Sequence, residues 1–167
     1  MIRKDDLLAA LLHECHIASH LYTKVPEGAW DYRPGPTQRT TLELLQYLQG
    51  CGIGSARAMS EGSWDGYKAA MERAADMKPD AFPALMEKQK AELEAFFEGL
   101  DDAALETQEA TLPWGEKVTL GRALLETTLK WMTAYRMQLF LYAKASGNDA
   151  INTANNWGGV DYEGDDL

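Results

Sequence analysis

The pattern of apolar and polar positions predicts a protein built mostly from amphipathic helices. The longest apolar segment, residues 119 to 146, contains no proline, and its only glycine lies in the first turn. Thr119 can cap the start of this helix, and Gly147 suits the left-handed residue that often ends one. At about 100° per residue, one stripe of the helix carries Leu120, Leu124, Thr127, Trp131, Tyr135, Gln138 and Tyr142.

The second half of this stripe differs from an ordinary helix core, which Leu, Ile and Val would fill. Trp131, Tyr135, Gln138 and Tyr142 each carry a polar atom that needs a partner when the side chain is buried. Two interpretations follow. Either the stripe faces a ligand pocket, or it is ordinary core whose hydroxyl groups reach the rim of the bundle.

Four earlier segments also have helical periodicity, and they cover residues 4–24, 40–60, 64–77 and 81–99. Pro26 ends the first, because the residue before proline avoids the helical region. The second begins with the capping-box pattern of Thr40 and Glu43. Three glycines in the second helix, Gly50, Gly52 and Gly54, either permit close helix contact or leave space in the bundle.

The remaining segments are a loop, a hairpin and a tail. Residues 26–39 hold three prolines and two glycines and form a loop anchored by Trp30 and Tyr32. Residues 108–112 and 116–119 flank a Pro-Trp-Gly turn and predict a small β-hairpin. The fold class is therefore all-α: a four-helix bundle with one extra short helix and a hairpin before the last helix.

Two domain-level parts follow from this reading. Residues 1–147 form the helical bundle, and residues 148–167 form an irregular, acidic C-terminal tail. We expect Trp157 to dock the tail on the bundle, because a free tryptophan is costly to leave in water. Asp161, Glu163 and Asp165 alternate as oxygen ligands can, although a disordered acidic end explains them more simply.

Charge and composition exclude several classes of partner. The 167 residues are 46% hydrophobic and carry 16 Lys and Arg against 26 Asp and Glu, a net charge of −10. This field repels phosphate backbones and anionic lipid surfaces, so we expect neither nucleic-acid nor membrane binding. No apolar run reaches the roughly 20 residues of a membrane span, and the N-terminus does not read as a secretory signal. Two cysteines form no disulfide framework, which favours a reduced, cytoplasmic protein.

The candidate reactive side chains lie in the first two helices. His13, His16 and His20 share one side of the first helix, opposite its leucine face. They could bind a metal together with Glu14, Tyr47 or the tail, or they form an exposed or dimer-facing stripe. The thiols of Cys15 and Cys51 sit in apolar helical patterns and are expected to be buried and inert.

Three passages, taken in order, resemble one known family. They are helix 1 leading into VPEGAWDYRPGPTQRTTLELLQYL, the hairpin with its Pro-x-Gly turn, and the motif WMTAYRMQL. Together they resemble the DinB-like superfamily of four-helix bundles, which also includes bacterial thiol S-transferases. The resemblance covers about residues 4–146 and implies a homodimer.

Many members of this superfamily hold a divalent metal, often nickel or zinc, with three histidines. Carried over position by position, these ligands fall on Tyr47, Trp131 and Tyr135. Tryptophan cannot ligate a metal, and neutral tyrosine is a poor ligand for nickel or zinc. The resemblance therefore implies the fold with a degenerate metal site and no metal cofactor. Arg136 of the motif is retained and is expected to form a surface ion pair.

Three functional hypotheses remain open, and whether the protein is an enzyme is undecided. The first is a metal-free bundle that is structural or binds a small apolar or thiol-containing ligand. Its pocket candidates are Tyr47, Trp131, Tyr135, Gln138 and Tyr142. The second is a thiol-transferase-like or hydrolase-like enzyme with relocated nickel or zinc at His13, His16 and His20. The third is a stress-linked protein-interaction module.

Overall fold

The computed structural model of the protein describes residues 3–162, apart from the side chain of Asp102. The α-helices are α1 (Lys4–Tyr22), α2 (Thr41–Glu61), α3 (Asp65–Ala74), α4 (Phe82–Glu98), α5 (Asp102–Thr107), α6 (Leu120–Leu124), α7 (Lys130–Ala145) and α8 (Thr153–Trp157). A π-helical turn, Leu125–Leu129, joins α6 to α7 without a break. Short 3-10 turns cover Ala29–Asp31 and Pro79–Ala81. Strands β1 (Glu109–Thr111) and β2 (Lys117–Thr119) complete the structure.

Four long helices enclose one apolar core. α1 packs on α4 and α7, and α2 packs on α4, α7 and the shorter α3. Leu11, Leu45 and Leu93 are fully buried where these helices meet. The predicted all-α bundle with a small hairpin is thus confirmed. In the described part of the chain, no helix combines the length and apolarity that a membrane span requires.

The start of α2 and the hairpin agree with the sequence patterns. Thr40 Oγ1 accepts a hydrogen bond from the amide of Glu43 at 3.1 Å, and the Glu43 carboxylate accepts one from the amide of Thr40 at 2.6 Å. This is the capping box. β1 and β2 pair antiparallel, and Gly115 takes the left-handed conformation at their turn, with φ of 92°. α5, just before the hairpin, has no counterpart among the predicted helices.

The π-helical turn changes which side of the last helix faces the core. In α6 and in the turn itself the buried residues include Leu120, Leu124 and Thr127, as predicted. After it the buried face passes through Met132 and Arg136 rather than through Trp131 and Tyr135, and it continues to Leu139 and Ala143. A π turn accommodates one residue more than an α turn, so every later side chain is displaced by one position. The predicted stripe is therefore wrong by one residue at Trp131, Tyr135 and Gln138, whereas its last member, Tyr142, is buried beside Ala143.

Arg136 is consequently a core residue, and the predicted surface ion pair is wrong. Its side chain has no exposed surface, and its Nε donates to Glu14 on α1 at 2.6 Å. Its Nη1 donates to the backbone oxygen of Asn156 at 2.6 Å and to the Oδ1 of that side chain at 2.7 Å. The Trp157 ring covers the guanidinium with its centroid 4.4 Å away. We call this set of contacts the Arg136 clamp, because it holds α8 against α1 and α7.

The prediction of an irregular tail is wrong for the part that forms α8. Asn152 caps this helix through its side chain, and Asn155 and Asn156 are buried. These two asparagines are buried because they form hydrogen bonds with Arg136, His20 and Asp161. Apolar periodicity in the sequence cannot reveal such bonds. Trp157 docks as expected, although half of its surface stays exposed. Glu163 and Asp165 lie outside the described residues, and the division of the chain at residue 147 stays a prediction.

Candidate functional site

Tyr47, Trp131 and Tyr135, the positions onto which the family resemblance carries the metal ligands, each pack against another aromatic ring. The ring centroids of Tyr47 and Tyr135 are 4.3 Å apart, and Trp131 lies against Trp64 with centroids 5.8 Å apart. Burial raises the pKa of Tyr47 well above its ordinary value, and Cys51 and the hydroxyl of Tyr67 raise it further. Tyr47 is therefore a neutral phenol at neutral pH, and a neutral tyrosine is a poor ligand for nickel or zinc.

Tyr67 completes this group, and the glycines of α2 make room for it. The Tyr67 ring meets Trp64 edge-on, with centroids 5.3 Å apart, and burial raises the pKa of its hydroxyl to about 12. A Cβ atom at Gly54 would lie 2.6 Å from this ring, and one at Gly52 would lie 2.5 Å from the sulfur of Met132. Gly52 and Gly54 thus permit close contact between α2 and the side chains packed against it. We call Tyr47, Trp64, Tyr67, Trp131 and Tyr135 the aromatic cluster.

Arg39, at the end of the loop 26–39, covers the outer side of the aromatic cluster. Its guanidinium carbon lies 4.7 Å from the centroid of Tyr47 and 5.4 Å from that of Tyr135. Cation–π attraction at such distances holds an otherwise exposed arginine in place. The loop is itself fixed, because the oxygen of Tyr32 accepts a 2.9 Å hydrogen bond from the amide of Thr41.

A cleft of about 1150 Å³ opens beside Arg39, between the loop 26–39 and α7, and we call it the loop–helix cleft. Tyr135, Gln138 and Tyr142 line it from α7, and Tyr32 and Arg39 line it from the loop. The Tyr32 and Tyr142 rings meet edge-on, with centroids 5.6 Å apart, and burial raises the pKa of Tyr142. The volume of the loop–helix cleft suits a small molecule bound by aromatic faces and a few polar groups.

The structure thus divides the five predicted pocket residues into two groups. Gln138 and Tyr142 line the cleft, Tyr47 and Trp131 belong to the aromatic cluster, and Tyr135 belongs to the cluster and also lines the cleft. Sequence reasoning did not select Arg39 or Lys144 as site residues, and it assigned Tyr32 only as an anchor. The length of the loop and its aromatic residues were the available signal, because loops of this kind often carry a site.

A second cavity, of about 570 Å³, lies between α2, α3 and α4. Its charged lining residues balance in sign, with Arg57, Arg73 and Lys88 against Glu61, Asp76 and Glu92. Arg57 and Glu92 pair at 3.7 Å. The loop–helix cleft instead holds Arg39 and Lys144 against Asp149 alone and contains the predicted residues, so it is the stronger candidate.

The three histidines of α1 contact the C-terminal segment. His13 Nε2 lies 2.8 Å from the backbone oxygen of Trp157, and His20 Nε2 lies 3.0 Å from the side-chain nitrogen of Asn155. His16 packs beside Gly159, where a Cβ atom would come within 2.7 Å of its ring. Within residues 3–162, no three His, Cys, Asp or Glu side chains are arranged to hold a metal ion. The relocated-metal hypothesis therefore gains no geometric support.

Both cysteines are buried, as predicted. Burial raises the pKa of the Cys15 thiol to about 12 and raises that of Cys51 as well. At neutral pH both are thiols rather than thiolates, and neither is poised as a nucleophile.

Comparison with solved structures agrees with this architecture. The chain is similar to a DinB-like protein, YjoA, from Bacillus subtilis, with a TM-score of 0.65 and 22% identity, covering 84% of this chain and 91% of that one. It is also similar to a mycothiol-dependent maleylpyruvate isomerase, with a TM-score of 0.57 and 13% identity, covering 88% of this chain and 62% of that one. No family model matches the sequence, and a search of curated proteins finds no match. The likeness to the two structures confirms that the chain has the DinB-like fold.

Proposed function

We propose that this DinB-like bundle is a metal-free protein that binds a small molecule in the loop–helix cleft. The observation that carries the proposal is the combination of a filled aromatic cluster and an open cleft beside it. Tyr47, Trp131 and Tyr135, onto which the family resemblance carries the ligand positions, contact other rings, while Tyr135, Gln138 and Tyr142 line the cleft. Three tyrosine rings and the Gln138 amide supply apolar faces and polar contacts.

A thermal-shift screen tests the proposal directly. It uses small apolar compounds and low-molecular-weight thiols, the latter because one structurally similar protein is mycothiol-dependent. A ligand present at 100 times its Kd stabilises the folded state by about 2.7 kcal/mol. For a chain of this size that corresponds to a rise in Tm of roughly 5–10 °C. Failure of every class of compound to raise the Tm would contradict ligand binding.

A matched pair of variants locates the binding. Ala145→Trp places a large ring in the cleft, whereas Ala134→Trp places one on another exposed position of the same helix. We expect Ala145→Trp to abolish the thermal shift and Ala134→Trp to retain it, with the unliganded Tm of both near that of the wild type. Equal binding by both variants would show that the ligand lies elsewhere.

Elemental analysis separates the proposal from the metal-dependent alternative. The protein is purified without a histidine tag or added metal, and nickel, zinc and iron are measured. Near-stoichiometric metal would contradict the metal-free proposal, and alanine variants of His13, His16 and His20 would then locate the ion.

The homodimer implied by the family resemblance is part of the proposal, and analytical ultracentrifugation tests it.

A further inference from the structure

We infer that the loop–helix cleft takes an organic anion, a carboxylate on an apolar or aromatic body, with Arg39 binding the carboxylate. This inference rests on the proposed function, because it names the class of ligand for the same cleft. Four features of the described residues support it: the fixed position of Arg39, its lack of an acidic partner, the local charge and the surrounding rings.

The guanidinium of Arg39 is held by stacking rather than by an acid. It lies over the rings of Tyr47 and Tyr135, at 4.7 and 5.4 Å from their centroids. Within residues 3–162 the Arg39 side chain forms no hydrogen bond and no ion pair with another residue, and it contacts these two rings. A guanidinium stacked in this way keeps the N–H donors that match a carboxylate in a bidentate pair.

The acidic side chain nearest to Arg39 along the chain is already engaged. The Glu43 carboxylate accepts the amide of Thr40 at 2.6 Å and pairs with Arg33 at 3.7 Å. These bonds maintain the cap of α2, and the first of them is the main cause that lowers the pKa of Glu43. The positive charge of Arg39 also helps to lower the pKa of Glu43, yet among the described residues the two side chains form no ion pair. Glu43 is bonded to its cap and to Arg33, so the Arg39 guanidinium keeps its donors for an external carboxylate.

The lining of the cleft carries more positive than negative side chains. Arg39 and Lys144 line it, against one carboxylate, Asp149, which follows the end of α7. The whole chain has a net charge of −10, but salt largely screens repulsion between exposed charges beyond the Debye length of about 8 Å at physiological ionic strength. The local charge of the cleft therefore favours an anion.

The rest of the cleft is suited to the apolar body of such an anion. Tyr32 and Tyr142 meet edge-on, and Tyr135 faces the cleft next to Arg39. An aromatic ligand can stack on these rings while its carboxylate reaches Arg39, and Gln138 can bond a polar substituent. Charge and shape thus select the same class of ligand.

The test compares anions with neutral molecules of the same shape. Binding of benzoate and phenylacetate is measured by calorimetry and ligand-observed NMR against binding of benzamide and phenylacetamide. We expect each carboxylate to bind at least about 10-fold more tightly than its amide, the effect of one charged hydrogen-bonded contact. Arg39→Gln is expected to remove this preference, Arg39→Lys to retain part of it, and Arg33→Gln to keep it. Both positions are exposed, and thermal melts verify that the three variants fold.

The outcomes distinguish this inference from the proposed function. If carboxylates and amides bound equally well, and Ala145→Trp abolished both, the inference of an anionic ligand would be overturned and the cleft would remain a binding site. A preference for carboxylates that survives Arg39→Gln would overturn the role of Arg39. Failure of carboxylates to bind, while apolar or thiol compounds do, would also overturn the inference. Failure of every class would overturn the proposed function with it.

Discussion

Replacing Arg136 with methionine is expected to destabilise the protein by about 3 kcal/mol and to release α8. The guanidinium is fully buried and bonds to Glu14 and Asn156, with the Trp157 ring over it. Arg136→Met removes all of these polar contacts. It leaves the Glu14 carboxylate, whose side chain is only 11% exposed, without its cation.

The magnitude comes from the cost of removing only one partner of a buried ion pair. Removal of one partner leaves an uncompensated charge and typically costs about 3–5 kcal/mol. We take the lower end for two reasons. Methionine keeps most of the aliphatic packing of arginine, and the substitution also removes Nη2, which is buried without a partner among the described residues. For 167 residues, 3 kcal/mol corresponds to a fall in Tm of roughly 6–12 °C.

Urea unfolding gives the free energy, and hydrogen exchange gives its location. Arg122→Met is the matched control, because Arg122 pairs with Glu116 at 2.9 Å while both side chains are about half exposed. That exposed pair should contribute less than about 1 kcal/mol. In Arg136→Met, amides of 153–160 should lose protection before those of α1 and α2, since the Arg136 clamp holds only the C-terminal segment.

A comparison of single and double variants tests the reasoning. Glu14→Gln combined with Arg136→Met removes both charges, so its cost should be smaller than the sum of the two single costs. Arg136→Met and Arg122→Met with equal free energies of unfolding would refute the account of a buried clamp. Strict additivity of the Glu14 and Arg136 variants would refute their coupling.

Three other predictions follow from the packing and from one pKa. Gly54→Ala should lower the free energy of unfolding in urea by about 1–3 kcal/mol, because the new Cβ atom would lie 2.6 Å from the Tyr67 ring of α3. Gly66→Ala is the control, and it should be neutral or stabilising because the space around Gly66 is open. A larger loss of stability in Gly66→Ala than in Gly54→Ala would contradict the close contact at Gly54. Trp131→Ala should lower the Tm more than Tyr135→Phe, since it removes a half-buried ring rather than one hydroxyl, and thermal melts in the opposite order would refute this placement. Cys15, with its pKa raised to about 12, should resist iodoacetamide at pH 8 and react in urea, as peptide mass spectrometry can show; rapid alkylation without urea would contradict its burial.

Features set by neighbouring residues along the chain were predictable from the sequence. The capping box of Thr40 and Glu43 depends on a spacing of three residues, and the hairpin depends on a local Pro-Trp-Gly turn. The long helices follow from periods of apolar residues that the core then buries. Each of these signals is local, and the structure confirms each of them.

Features set by contacts between distant residues were not predictable. Arg136 lies 122 residues from Glu14, and no spacing rule connects them. The polar segment of α8 has no apolar period, because its asparagines bury through hydrogen bonds. The position of Arg39 over the aromatic cluster depends on the path of the loop 26–39. Of the residues that line the cleft, Tyr135, Gln138 and Tyr142 were selected from the sequence and Arg39 was not; their role in binding stays a prediction.

The π-helical turn also marks where this chain can change length. If one residue of Leu125–Leu129 were deleted, such as Glu126, an unbroken α-helix could run through the segment. Each later residue would move back by one position, and the regular stripe of that helix would carry Met132, Arg136, Leu139 and Ala143, the same residues that are buried now. The π-helical turn thus accommodates one extra residue, and the same side chains are buried with or without it. A deletion there should be tolerated, whereas the same deletion within α7 would rotate Leu139 and Ala143 out of the core.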